Sequence, residues 1–273
     1  MRGPESRSHR ARPASLVLVP LLPLAAVVAV VSSCDLAVSL DGLEGGCPPT
    51  HGPSQAKVTS GSSPFCIDTT EVTNAQYEEF VAAGFALTAE AGTGIPDGCE
   101  QLTGTTPGGT WPYPPGEDDF PVTNVNWCQA YAYCEWAGKR LCGQIGGGSL
   151  APTYFDDATF SQWLNACSQN GGLTYPYGQT FDSTTCGGQA AGSMIGNVAS
   201  RPQCVGPVPG VFDMSGNVWE WTDTCGTGGA TAFCDAMGGA FDSIQTELEC
   251  VGERNWTRNA GANNIGIRCC LDL

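Results

Sequence analysis

An α+β fold, loop-rich and stapled by disulfides, is what this chain of 273 residues predicts, and three observations carry the prediction. Apolar residues recur at helical spacing in two or three short stretches, whereas the final third alternates with a period of two in short runs. Glycine (37) and proline (19) exceed the usual share, so much of the chain is loop. Fifteen cysteines are present to fasten those loops. Behind an export-like leader they read as disulfides rather than as metal ligands or redox thiols.

The leader comes first. Arg2, Arg7, Arg10 and Arg12 precede an apolar run from Leu16 to Val31, and small residues follow. The ending Val31-Ser32-Ser33-Cys34 resembles the bacterial lipobox, in which the cysteine is lipidated and becomes the new N-terminus. Residues 1–33 are therefore expected to be a lipoprotein signal peptide, and Cys34 to hold the exported protein to a membrane on a periplasmic or cell-surface face. An ordinary cleaved signal or an uncleaved anchor is the alternative, although Pro20, Pro23 and the shortness of the run weigh against a stable span. Residues 34–64 lack any period and read as a flexible tether, pinned at Cys47. Residues 65–273 form one domain.

Thr73 and Gln76 make a capping box for a first helix, Val72 and Tyr77 a hydrophobic staple, and Gly84 a C-terminal cap. Tyr77, Phe80 and Val81 face inward. After a long Pro/Gly-rich loop, a second helix from about Asn126 to Ala137 places Trp127, Ala130, Tyr131, Cys134 and Ala137 on one face. Cys128 and Cys134 stand too far apart on it to bridge each other, so each needs a distant partner. A third helix covers Ala158 to Cys167, with Phe160, Trp163, Leu164 and Cys167 as its stripe and Gly171-Gly172 as its stop. Short strands follow: the Trp219-Glu220-Trp221 run, Gly239 to Phe241, and Asn264 to Cys270. The turn before the first, Asp213-Met214-Ser215-Gly216-Asn217, is built from residues that tolerate positive φ.

Composition removes several function classes. A net charge of −16 repels nucleic acid and anionic lipid. It would attract divalent cations, or simply serve as a solvated surface. The only histidines are His9 in the leader and His51 in the tether, which excludes Ser-His-Asp and Cys-His catalysis and histidine metal sites in the domain. Lys139 reads as a surface charge at a helix end. No spacing among Asp68, Glu71, Asp156, Asp157, Asp213, Glu220 and Asp223 identifies a catalytic pair.

Several segments, in order, carry a family resemblance: F-C-I-D-T-T-E-V-T-N-A-Q-Y-E-E-F (65–80), P-V-T-N-V-N-W (121–127), Y-C-E-W-A-G-K-R-L (133–141), Y-P-Y-G (175–178), D-M-S-G-N-V-W-E-W (213–221), G-G-A-F (238–241) and I-G-I-R-C (265–269). The chain resembles the formylglycine-generating enzyme, or sulfatase-modifying factor, family. The resemblance implies that family's fold, itself similar to C-type lectins, and a chemistry in which copper held by two cysteines oxidises a substrate cysteine to formylglycine. In the family both thiols lie a few residues past the segment that here reads Gly238-Gly239-Ala240-Phe241. Ser243 stands where the first would be, and Cys250, about two positions late, is the single cysteine near the second. Two soft thiolates select copper(I), so copper is not expected.

Carried over by position, the resemblance also implies calcium on the Asp213 and Glu220 carboxylates and the carbonyls of Gly216 and Val218. The alternative is a tight turn in which Glu220 pairs with an arginine such as Arg268 or Arg140. The family's other calcium site finds no match near Cys186-Gly187.

The expected function is a lipid-anchored extracytoplasmic binding or structural module lacking the copper–thiol centre, its ligand an unidentified protein or small molecule. A formylglycine-generating oxidase, or another family-type oxidoreductase with a relocated site at Cys250, is the rival. Trp111 and Tyr113 on the long loop are the candidate ligand-facing aromatics. The fourteen cysteines after Cys34 are expected to form seven bridges, with Cys269 and Cys270 holding separate partners, one of them within reach of Cys250.

Overall fold

The computed structural model describes residues 46–59, 63–86, 95–100, 102 and 104–273. Cys34 and the signal peptide lie outside the described residues.

Strand β1 (Gln55–Val58) pairs antiparallel with β2 (Phe65–Asp68), so the tether expected over 34–64 ends earlier than its composition suggests. Gln55 and Ala56 are half-buried, Lys57 is exposed and Val58 is buried, a pattern too weak to signal a strand; pairing with β2 made them one. The Cys47–Cys66 bridge pins this segment, as the position of Cys47 predicts.

Helix α1 (Asn74–Ala83) begins at Thr73, whose hydroxyl accepts from the Gln76 amide while the Gln76 side chain accepts from Thr73 N–H. It ends at Gly84, held at φ 63°. Helix α2 (Trp127–Trp136) repeats the device with Asn126 and Gln129. It is buried on more sides than the predicted stripe: Ala132 and Tyr133 are buried and Tyr131 only partly so, because α1 and the second sheet flank it on different faces. Helix α3 (Gln162–Ser168) is shorter than predicted. Ser161 caps it, and Gln169 in the left-handed region ends it before the glycines. Phe160 falls outside the helix and stacks on Tyr154 at the surface.

The strands form two sheets. One runs β1-β2-β8-β3 and is antiparallel throughout, with β3 (Arg140–Leu141) and β8 (Cys269–Asp272) completing it. The other runs β6-β5-β4-β7, from β4 (Trp219–Cys225), β5 (Phe233–Met237), β6 (Glu253–Thr257) and β7 (Ile265–Ile267). Only its β4–β7 pair is parallel. Arg268 is the sole residue between β7 and β8, so the chain passes from one sheet to the other at that residue.

Tyr77, Phe80, Tyr133, Trp127, Trp219 and Trp221 fill the core between α1, α2 and the second sheet. Phe65, Ile67, Trp163, Leu164 and Met214 fill a second cluster under α3. Truncating a buried ring of this size to alanine costs about 3–5 kcal/mol. All fourteen described cysteines are paired. Cys128 meets Cys99, Cys134 meets Cys269, Cys142 meets Cys270 and Cys167 meets Cys250. The adjacent Cys269 and Cys270 do take separate partners, because successive residues of a strand point to opposite faces. Neither meets Cys250.

Candidate functional site

The turn at 213–217 is made by backbone that few residues adopt. Asp213, Gly216 and Asn217 have φ of 60°, 83° and 58°. A Cβ on Gly216 would sit 1.6 Å from the Gly187 carbonyl oxygen, so glycine alone lets the two segments touch. The side chains then fan out: Asp213 accepts from the Ala199 amide at 2.5 Å, and Asn217 accepts from the Gly196 amide and donates to Glu71 at 3.0 Å.

Glu220 follows on β4, fully buried. Its Oε1 accepts from Arg268 Nη2 at 2.7 Å, and its Oε2 from Arg268 Nε at 2.8 Å and Trp163 Nε1 at 2.6 Å. Pairing with Arg268, the alternative to calcium, is thus present. Arg268 also donates to the carbonyls of Asp68 and Phe212, so its guanidinium ties both sheets to the turn.

This guanidinium faces three carboxylates, Glu220, Glu71 and Asp213, and Arg201 adds a weaker positive charge near Asp213. Burial first, then the neighbouring Asp213 and Glu220 charges, hold the Glu71 carboxyl well above its ordinary range. Burial pushes Asp213 up to about 6. Glu71 Oε2 is buried with no hydrogen-bond partner. The residues therefore fit a divalent cation in charge. Among the described residues no three His, Cys, Asp or Glu side chains are grouped to hold a metal, so main-chain oxygens such as those of Gly216 and Val218 would have to complete the shell.

Beside the cluster, Lys139 corrects its reading as a surface charge. Its side chain is fully buried, 2.6 Å from Asp68 and 3.0 Å from the Pro53 carbonyl. Burial pushes the Asp68 carboxyl up to about 6 in spite of that ammonium.

The position of the family's thiol pair is occupied otherwise. Ser243 is buried and its hydroxyl accepts from the Ala240 amide at 3.0 Å. Cys250 is buried and bonded to Cys167, 83 residues away, which corrects its standing as a candidate catalytic thiol. Two residues before it, Leu248 packs its methyls toward Gly188 and Gly239, where an added Cβ would meet them at 2.4 Å and 2.9 Å. No pair of thiols fit for copper is offered here.

Trp111 and Tyr113 are half buried. Trp111 lies edge-on to Tyr77 at 5.9 Å, and the Tyr113 hydroxyl donates toward Glu78 at 3.2 Å and Asp118 at 3.3 Å. His51 stacks on Trp136 at 4.6 Å.

Glu71 is the residue whose place in the cluster the sequence did not indicate. It sits between β2 and α1, 146 residues from its partner Asn217, and no local spacing points across that gap. Arg268, a single charge inside the apolar Ile265-Gly266-Ile267…Cys269 run, carried a readable signal, since a charge there requires a buried partner.

Residues 44–273 match the sulfatase-modifying factor enzyme 1-like domain family. The formylglycine-generating enzyme of Mus musculus is 25% identical, covering 95% of this chain and 77% of its own. The inactive C-alpha-formylglycine-generating enzyme 2 of Bos taurus is 29% identical over 55% of this chain and 50% of its own. The solved structure of PvdO from Pseudomonas aeruginosa shares the fold at a TM-score of 0.52 and 18% identity, covering 82% of this chain and 90% of its own. With the match running through nearly all of the described residues, the chain belongs to the sulfatase-modifying factor enzyme 1-like domain family.

Proposed function

We propose that the protein is a lipid-anchored, extracytoplasmic member of this family that binds a ligand or braces a partner and does not oxidise cysteine. One observation carries the reading: the thiol nearest the family's copper position, Cys250, is consumed in a buried bridge to Cys167, while Ser243, where the first thiol would be, is buried and hydrogen-bonded to the Ala240 amide. The relatives agree with a family that holds both kinds of member, since one is named a formylglycine-generating enzyme and another an inactive one. Seven bridges in one domain favour an oxidising compartment, and the lipobox-like Val31-Ser32-Ser33-Cys34 favours anchoring through lipid on Cys34.

Calcium belongs to the same reading, as a brace rather than a reagent. Asp213 and the Gly216 and Val218 carbonyls would hold it, and Glu220, whose two oxygens accept from Arg268 and Trp163, would join them only by giving up part of that pairing. The excess of buried carboxylate over guanidinium supports it, and so does the unpartnered Glu71 Oε2.

The test is alkylation of the unfolded, unreduced protein followed by intact-mass measurement. The reading expects no labelled cysteine among Cys47 to Cys270; two labelled cysteines, with oxygen uptake on a cysteine peptide plus copper, would overturn it in favour of the oxidase.

A further inference from the structure

A cavity of about 510 Å³ lies beside α2, sharing no residue with the Asp213–Glu220 turn or with Ser243, Leu248 and Cys250. Its wall is Trp127 and Tyr131, one helical turn apart with ring centroids at 5.3 Å, faced by Arg258. That arginine comes from the end of β6, where its carbonyl accepts from Trp127 N–H and its amide donates to the Ala232 carbonyl, so its backbone is fixed on two sides.

The side chain is not satisfied in the same way. Arg258 is only 6% exposed, its guanidinium carbon lies 4.7 Å over the Trp127 ring, and Nε and Nη1 are buried without a hydrogen-bond partner. Burying two donors of a charged group without an acceptor is costly, and the ring contact and the attraction of the nearby Asp223 return part of that cost only. A planar carboxylate is the acceptor whose geometry matches a guanidinium.

The cavity lining also carries the opposite sign. Asp223 is buried, its carboxyl raised above its ordinary range by that burial, and of its two oxygens Oδ2 accepts from Ser149 at 2.8 Å. Asp97 and Glu135 add further negative charge at the rim. Arg140 also borders the cavity, but its guanidinium is engaged by Asp272 and by the carbonyls of Leu141 and Gln144. A simple anion would meet these carboxylates, and a simple cation would meet Arg258. A small zwitterion meets neither.

We propose that this cavity binds an α-amino acid, its carboxylate on Arg258, its ammonium toward Asp223 and Asp97, and an apolar side chain against Trp127 and Tyr131. The volume suits a ligand of that size. This deepens the reading of the domain as a binding module, yet the two stand apart: thiol counting decides the first, and ligand titration decides this one.

The test is isothermal titration of the full chain with glycine, L-leucine and L-phenylalanine, and with the two halves of leucine, 4-methylpentanoate and isoamylamine. L-leucine or L-phenylalanine should bind at least tenfold tighter than either half, and Arg258→Gln should weaken that binding at least tenfold. Asp223→Asn should narrow the gap between leucine and 4-methylpentanoate, which keeps the inference testable if Arg258→Gln does not fold by circular dichroism. Failure of all three amino acids to bind, equal binding of 4-methylpentanoate, or an unchanged gap in Asp223→Asn would each overturn it.

Discussion

The Arg268 guanidinium and the Glu220 carboxylate meet side-on through two hydrogen bonds of 2.8 and 2.7 Å, in the buried seam where the two sheets join. Removing one partner strands the other's charge, which for buried pairs costs about 3–5 kcal/mol. Arg268→Met is therefore expected to be the more damaging single change, since it also abandons the Asp68 and Phe212 carbonyls. Urea denaturation of Arg268→Met, Glu220→Leu and the double variant checks it. The double variant should be more stable than the sum of the two losses implies.

The Cys167–Cys250 bridge closes a loop of 83 residues. A closure of that length is worth about 4.5 kcal/mol in the chain-entropy account. Replacing both cysteines with alanine should lower the thermal midpoint by about 10 °C and yield no formylglycine from a cysteine peptide, with or without added copper. Midpoint and peptide mass are the two readouts.

Calcium should raise the thermal midpoint and chelator lower it, because a ligand that binds only the folded state stabilises by mass action. Asp213→Ala should lose the response. An unchanged midpoint of the wild type on chelation would dismiss the site.

Anchoring is tested at Cys34. Cys34→Ala should move the protein from the detergent-rich to the aqueous phase on cloud-point partitioning, and unchanged partitioning would remove the lipid from the reading.

The Asp235 carboxyl is pushed up to about 7 by burial and then by Glu253, which lies diagonally across the β5–β6 ladder. A raised carboxyl means that the folded state binds the proton more tightly than the unfolded one. The associated stability is complete below about pH 4 and fades as pH rises toward 7. Asp235→Asn should thus raise the midpoint by about 2–4 °C at pH 8 and leave it unchanged at pH 4. Scanning calorimetry at the two pH values separates the cases.

Local chemistry was legible in the sequence and distant pairing was not. Thr73, Gln76 and Gly84 act within one helix, so their spacing alone places α1. Lys139 looks exposed in Gly138-Lys139-Arg140, because the Asp68 that receives it is 71 residues away. The same distance problem hid Glu71 from the turn and Arg258 from Trp127. Strand β1 was missed since four residues become a strand only when β2 is beside them. Cysteine parity announced seven bridges but carried no partner list.

Strand β8 is held on both faces, Cys269 to α2 and Cys270 to the segment after β3, and it lies between β2 and β3 in its sheet. Among the described strands, synthesis delivers β8 after the other seven. Until residue 270 emerges, Cys134 and Cys142 have no native partner, and β3 has no strand to join to β1 and β2. A nascent chain can close Cys99–Cys128 early, whereas the first sheet waits for its final few residues. Loss of residues 269–272 should thus leave Cys134 and Cys142 as two unpaired thiols in an otherwise bridged domain.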